Sequence, residues 1–574
     1  MNPSVIPIAP VDGGASRQRK RQAPKGRRVD AVALAEVQQL LAGASRQRDL
    51  LIEHLHKIQD HHGHLSSAHL TALAQEMRLS QAEVYEVASF YHHFDIVKTG
   101  QTAPPPLTVR VCDGLSCEMA GARELLARLP ALLGREVRVI AAPCIGRCEQ
   151  APAVAVGKSH VPQASVDGVV KAVRSAAVHA LPPPATGHDA YCADGGYTML
   201  QACHGGGLDF EAIVQALDGS GLRGLGGAGF PTGRKWRIVR AEAAPRLMAV
   251  NLDEGEPGTI KDRVLLERDP HRFLEGMLIA AWAVDVAAIY IYVRDEYHAG
   301  RELLAREIAR LQARPPVPGL PPIHLRRGAG AYICGEESAM IESIEGRRGL
   351  PRLRPPYVAQ VGLFGRPTLQ HNFETLFWVR DLVEKGPAWF AAHGRHGRKG
   401  LRSFSVSGRV RHPGVKLAPA GITIQELIDE HCGGMQDGHV FYAYLPGGAS
   451  GGILPATMND IPLDFDTLQP YGCFIGSAAV IVLSQHDSAV GAARNMLRFF
   501  KEESCGQCTP CRNGTAKASA LIEQPHWDLP LLADLSTVMR DASICGLGQA
   551  APNPIDCVVK YFPHELAPQV SASA

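Results

Sequence analysis

The sequence predicts a multidomain α/β chain with helical ends. Three observations predict it. Apolar residues make up 45% of 574 positions, enough for several cores, and a soft prior of roughly 150 residues per domain suggests about four domains. Short strand-like runs alternate with helical stretches through the middle of the chain. Eight of the 14 cysteines fall into two sets spaced like cluster ligands.

Composition narrows the function classes. A net charge of +2 gives no general attraction to nucleic acid or membrane. The most apolar long stretch, Met277 to Val293, contains Asp285 and is short for a membrane span. No signal peptide opens the sequence. The cysteines do not form a disulfide framework, so a reducing cytoplasm is expected.

In chain order, residues 1–28 are rich in Pro, Gly and basic side chains, ending Arg27-Arg28. They read as a disordered solvated tail, or as an arm that docks on a partner subunit. Residues 29–105 have a helical pattern, with Leu50, Leu51, His54, Leu55 and Ile58 on one face. Ser66 and Ser80 read as N-caps, with Glu83 completing a capping box. His54, His56, His61, His62 and His64 lack ligand spacing beside any acidic or thiol partner and are expected to be structural or exposed.

Residues 106–180 read as strand, helix, strand: Leu107–Val111, Ala120–Leu132 and Val137–Ile140. Cys112 and Cys117 follow the first strand, and Cys144 and Cys148 the second. Two pairs suit a [2Fe–2S] cluster, one pair per iron; zinc is the rival. The order suggests a small thioredoxin-like domain.

Residues 181–189 are a stiff Pro-rich linker. In 190–400, Gly221 to Trp236 contains a G-x-G-x-x-G match after a helix rather than a strand, so the ordinary dinucleotide fingerprint is not met. With Lys235 the loop suits a phosphate, or is a plain glycine turn. The strand Arg246–Val250 runs into Asn251-Leu252-Asp253-Glu254-Gly255-Glu256, either a solvated acidic loop or a ligand loop at a sheet's carboxyl edge. Gly328 to Glu337 is a second glycine and acid loop, opening a helix. Residues 401–485 read as a small β-rich domain.

Residues 486–574 are helical and carry Cys505, Cys508 and Cys511 at two-residue intervals, with Cys545 34 residues later. Three thiolates on one tight loop and a distant fourth suit a [4Fe–4S] cube, against a zinc knot as the alternative. Gly506 and Gly546 leave backbone N–H groups free to approach cluster sulfurs.

These residues resemble a known family. Residues 30–180 resemble the small [2Fe–2S] subunit of bacterial respiratory complex I, and 190–563 its NADH-binding flavoprotein subunit. Their fusion resembles the diaphorase subunits of cytoplasmic NAD-dependent formate dehydrogenases and NAD-reducing hydrogenases, with a fused NADH-binding subunit of complex I as a further alternative. The stretches Pro24–Asp30 and Arg48–His56 look most like the formate dehydrogenase beta subunit. The fold class then becomes a helical N-terminal segment, a thioredoxin-like [2Fe–2S] domain, a Rossmann-like FMN/NADH domain, a small β-grasp-like domain and a C-terminal helical bundle with [4Fe–4S].

The resemblance implies FMN held by Gly224, Gly226, Gly227, Lys235, Asn251, Asp253, Glu254, Gly335, Glu336, Asn372 and Thr375. It implies NAD(H) stacked on Phe230 and Tyr357, with Glu256, Glu337 and Arg354 nearby. Leu225, Gly255 and His371 depart from the family pattern. The cluster ligands match at every position, and Cys192, Cys203, Cys334, Cys432, Cys473 and Cys557 are expected to be structural. The implied partner is an alpha subunit with a tungsten or molybdenum pterin and further clusters. Hydride exchange between NAD(H) and flavin needs no general acid or base, so no catalytic side chain is assigned.

Overall fold

The computed structural model describes residues 26–566. The basic tail therefore lies outside the described residues up to position 25, as do 567–574. Arg27 is the first side chain with clear contacts, and its backbone N–H donates to Gln81 Oε1 at 2.9 Å.

Four helices, Ala31–Leu40, Leu51–His62, Ser67–Met77 and Gln81–Phe90, build the N-terminal segment. Ser66 and Ser80 cap two of them, and Ser80 with Glu83 forms the capping box. The apolar pattern gives no sign of a short parallel pair, Leu65–Ser66 with Ile96–Val97, because two residues carry no periodicity. His54 and His56 are buried and bonded to the carbonyls of Ser45 and Gly328, both at 2.8 Å. The expectation that no histidine of this run has an acidic neighbour is corrected at His62, which lies beside His69 and Glu36 from two other helices.

In the thioredoxin-like unit, strands Leu107–Cys112 and Val137–Ala142 pair in parallel. Parallel neighbours end on the same side, which sets the two cysteine loops next to each other. Strands Val154–Val156 and Ser159–Val161 extend the sheet antiparallel. Two helices, Leu115–Met119 and Ala122–Leu133, lie between the parallel strands.

The next unit is a parallel sheet in the order Thr368–Asn372, Arg246–Leu252, Val286–Val293, Ile323–Arg327. Its central strand Arg246–Leu252 is buried nearly throughout, as a strand covered on both faces by helices is. Pro270–Val284, almost wholly buried, is one such helix. The run Met277–Val293 is thus the end of a helix and a strand, broken at Asp285 in the left-handed region. Among the described residues no helix is long and apolar enough to cross a membrane.

A mixed five-stranded sheet follows, ordered Gly414–Pro419, Leu401–Gly408, Ala479–Ser484, Phe441–Leu445, Leu454–Pro455. Helices Ala489–Glu502, Thr509–Ile522, Leu529–Ala542 and Asn553–Tyr561 complete the C-terminal end.

Candidate functional site

All strands of the parallel four-stranded sheet point the same way, so their carboxyl ends gather loops on one edge. These loops, the glycine loop and part of the five-stranded unit enclose a cleft of about 440 Å³. Gly224, Gly226, Gly227, Phe230 and Lys235 line it from the glycine loop and the helix Thr232–Ala241. Asn251, Asp253, Glu254 and Glu256 line it from the acidic loop. Gly335, Glu336, Glu337 and Arg354 face them, and Asn372 closes the strand side. Thr375 and Tyr357 do not line it. Thr375 is buried, and its Oγ1 accepts the Leu225 N–H at 2.9 Å, holding the glycine loop from behind. Tyr357 is 55% exposed.

The carboxylates have different duties. Glu254 accepts from the N–H groups of Asp262 and Arg263 at 2.8 and 3.2 Å, and from the Tyr297 hydroxyl at 2.8 Å. It anchors the start of the helix Lys261–Arg268 behind the cleft, and burial beside Asp262 pushes its carboxyl up to about 7. Glu256 accepts from the Ser450 N–H at 2.8 Å and from the Tyr332 hydroxyl, tying three segments together. Glu336 caps the helix Glu337–Ile344 through the N–H groups of Ser338 and Ala339, both at 2.9 Å. Arg354 pairs with Glu336 and with Glu337. The Asp253 carboxyl takes no hydrogen bond among the described residues, and burial pushes it up to about 8.

Asn251 donates to the Gly335 carbonyl at 2.8 Å and accepts the Asp253 N–H at 2.9 Å, locking two loops together. Asn372 donates to Asp262 at 2.6 Å. Lys235 Nζ donates to the Gln370 carbonyl at 3.1 Å, and burial lowers its pKa. His371 accepts from the Trp236 indole at 2.7 Å and is held neutral by burial. Of the other departures from the family pattern, Gly255 lines the cleft and Leu225 is buried.

These residues fit FMN. A Cβ on Gly226 would stand 2.9 Å from the Asn372 Cβ, and Gly227 has φ +122, so both positions require glycine. Bare amides beside the Lys235 ammonium suit a phosphate. The free Asp253 carboxyl suits a hydroxyl or ring N–H donor.

Cys505, Cys508, Cys511 and Cys545 surround a small cavity with Pro351, Ile333 and Leu547. Ile333 and Leu547 also line the large cleft. Cys508 and Cys545 are the N-cap residues of Thr509–Ile522 and Gly546–Ala550, at helix ends that leave backbone N–H groups without intrahelical partners. Burial pushes the Cys511 thiol up to about 11 and Cys545 up to about 12. Such thiols ionise only against a cation, and four soft donors converging on one cavity fit an iron–sulfur cluster. Gly506, at φ +75, needs its missing Cβ. A Cβ on Gly546 would meet no protein atom within 4 Å, whereas one on Gly548 would stand 2.8 Å from the Cys511 Cβ. Gly548 is thus the glycine that protein packing requires here.

Cys112, Cys117, Cys144 and Cys148 are all buried. Cys144 and Cys148 sulfurs are 3.3 Å apart, and Cys117 Sγ accepts the Ala153 N–H at 3.4 Å. This set also fits its cluster. Arg294 donates to the Cys144 carbonyl at 2.7 Å and to the Glu254 carbonyl at 2.6 Å. Arg263 Nε donates to the Gly146 carbonyl at 2.9 Å.

Sequence reasoning misses Lys261, Ser450, Phe474 and Ser477 as cleft residues. The last three come from the five-stranded unit, and the glycine run Gly447–Gly452 is their only signal.

Family models match four stretches. Residues 217–381 match the Nuo51 FMN-binding domain, 37–177 the thioredoxin-like [2Fe-2S] ferredoxin, 491–569 the NADH-ubiquinone oxidoreductase-F iron-sulfur binding region and 403–454 the SLBB domain. The NADH-quinone oxidoreductase F 2 subunit of Rhizobium meliloti is 39% identical over 395 residues, covering 66% of this chain and 93% of the relative. The mitochondrial NADH dehydrogenase [ubiquinone] flavoprotein 1 of Dictyostelium discoideum is 38% identical over 381 residues, covering 62% and 78%. A crystal structure of an NAD+-reducing [NiFe]-hydrogenase in the H2-reduced state matches with TM-score 0.80 and 32% identity, covering 92% of this chain and 95% of that one. The chain accordingly carries FMN-binding, thioredoxin-like [2Fe–2S] and [4Fe–4S] binding regions and is of an NADH-binding kind.

Proposed function

Because the chain belongs to the NADH-binding flavoprotein family of the NADH-quinone oxidoreductases, we propose that it is the diaphorase subunit of a cytoplasmic formate dehydrogenase. Its partner would be an alpha subunit that oxidises formate at a tungsten or molybdenum pterin and passes electrons through further clusters. FMN held in the cleft would supply conversion between two-electron hydride exchange with NAD(H) and one-electron exchange with iron–sulfur clusters.

The observation that carries the reading is the shared wall of Ile333 and Leu547 between the flavin cleft and the Cys505/Cys508/Cys511/Cys545 site. The chain's own residues bind and orient. Glycine amides and Lys235 would take the phosphate, and Asp253 a donor of the flavin. Glu256 and Tyr332 would fix the side where nicotinamide lies against the ring. Formate as the donor rests on the likeness of 24–30 and 48–56 to the formate dehydrogenase beta subunit. A hydrogenase partner is the second reading, favoured by the 92% coverage in the likeness to the NAD+-reducing hydrogenase chain.

The test has two parts. The chain alone should reduce an artificial dye with NADH and should not oxidise formate; formate-dependent dye reduction without a partner would overturn the division of labour. Mass spectrometry and metal analysis of the native complex should find a pterin-bearing subunit with tungsten or molybdenum. A nickel–iron subunit would decide for the second reading.

A further inference from the structure

Three helices of the N-terminal segment bring together a cluster that neither the cleft nor the cysteine sites use. Glu36 lies on Ala31–Leu40, His62 ends Leu51–His62, and His69 sits in the first turns of Ser67–Met77. One carboxylate oxygen and one nitrogen from each imidazole all lie within 4.8 Å of one another. The two rings stack with centroids 4.1 Å apart. The bland account is an ion pair, since His69 Nε2 and Glu36 Oε2 are 2.8 Å apart.

Two observations go beyond an ion pair. His62 Nε2 is buried and has no hydrogen-bond partner among the described residues. A desolvated nitrogen left without a partner is costly, and its lone pair or N–H is directed into the protein rather than to water. Second, His69 is already oriented from behind. Its Nδ1 lies 3.0 Å from Ser66 Oγ, and the same oxygen accepts the His69 backbone N–H at 3.1 Å. Metal-binding histidines are held in this way by their other ring nitrogen. The N-cap that starts the helix therefore also aims Nε2 at Glu36.

We propose that Glu36, His62 and His69 bind a divalent cation of the zinc class, fastening the first helix to the turn between the next two. Two imidazoles and a carboxylate are a zinc donor set, and the fourth position falls to solvent. The Glu36 side chain, 43% exposed, leaves room for that water. His61, exposed, with its ring 4.7 Å from that of His62, is outside the set and serves as a control.

The experiment uses the full chain loaded with FMN and both clusters, so that the cysteines are occupied. It is dialysed to equilibrium against micromolar Zn2+, and zinc per chain is counted by mass spectrometry. One zinc is expected in wild type and in His61→Ala, with binding weakened about 10- to 100-fold or lost in His62→Ala and Glu36→Gln. Absorption-edge spectroscopy should give a nitrogen and oxygen shell at about 2.0–2.1 Å. NADH-dependent dye reduction should be unchanged in His62→Ala, which checks that the variant is folded. No zinc on wild type, equal zinc on His62→Ala, or a sulfur shell at about 2.3 Å would each overturn the site and leave an ion pair only.

Discussion

The two cysteine tetrads meet the flavin cleft in opposite ways. The Cys505/Cys508/Cys511/Cys545 site is separated from it by apolar side chains, Ile333 and Leu547, that line both. The Cys112/Cys117/Cys144/Cys148 site is strapped to it by buried cations. Arg294 bridges the carbonyls of Cys144 and Glu254 and is balanced by Glu296 at 2.8 Å. Arg263 reaches Gly146, Glu149 and Glu267. An apolar wall tolerates swaps that keep its volume, because no single atom pair carries much of its energy. A buried charge strap holds two separate units in fixed relation, and it fails when one member is removed.

The largest effect should come from the apolar side. Cys545→Ser replaces a soft ligand by a poor one and should damage the cube. Donor-driven NAD+ reduction by the assembled complex should fall nearly to zero. Flavin bleaching by NADH in a stopped-flow trace should persist, because the glycine and acidic loops do not depend on Cys545. A variant with full donor-to-NAD+ turnover would mean that the strapped N-terminal site carries the current instead.

Arg294→Ala attacks the strap. It leaves Glu296 buried without its strongest partner and frees two carbonyls, at a cost of about 3–5 kcal/mol. The expected result is a lower unfolding temperature and loss of the [2Fe–2S] signal in electron paramagnetic resonance, with the cube signal kept. Equal loss of both signals would show that the strap holds the whole chain rather than one site.

The same contrast explains what is legible beforehand. Cluster ligands are local, so the spacing of Cys505, Cys508 and Cys511 carries the chemistry without the fold. The acidic loop is legible as a ligand loop because a strand ends in it. The duties within it are not. Whether Glu254 faces a ligand or anchors Lys261–Arg268 depends on residues eight and nine positions on, brought back by a turn. Arg294 is an ordinary arginine after a strand until the other unit docks on it. His62 has no acidic residue three or four positions back on its own helix face, and only packing supplies Glu36 and His69. Ser450 belongs to a unit about 200 residues beyond Glu256, and no local pattern joins them.

Glu256→Ala tests the joint between the cleft and the five-stranded unit. It removes two hydrogen bonds, each contributing about 0.5–1.5 kcal/mol. KM for NADH should rise roughly fivefold to thirtyfold, the range that 1–2 kcal/mol gives, with FMN content per chain unchanged. Flavin loss with KM unchanged in the remaining holoenzyme would assign Glu256 to FMN instead.

A pH-dependent effect sits where the strap meets the cleft. Asp253 shares a small cavity with Cys144, Arg294, Glu296 and Tyr332. Burial raises its carboxyl from 3.8 to about 8, against the opposing pull of Arg294. In the unfolded chain the group ionises near its ordinary value; in the folded chain it keeps its proton until about pH 8. Between those values the folded state binds the extra proton, so this contribution to stability is full at low pH and declines as pH rises through the window. Asp253→Asn cannot ionise and should lack the decline. In FMN-free protein, the unfolding temperature of the variant relative to wild type should therefore climb from pH 5 to pH 8. Bound FMN that donates a hydrogen bond to the carboxylate would favour its ionised form and flatten the wild-type slope. A difference that does not change with pH would assign the titration in this range to Glu254, whose carboxyl is held at about 7 behind the cleft.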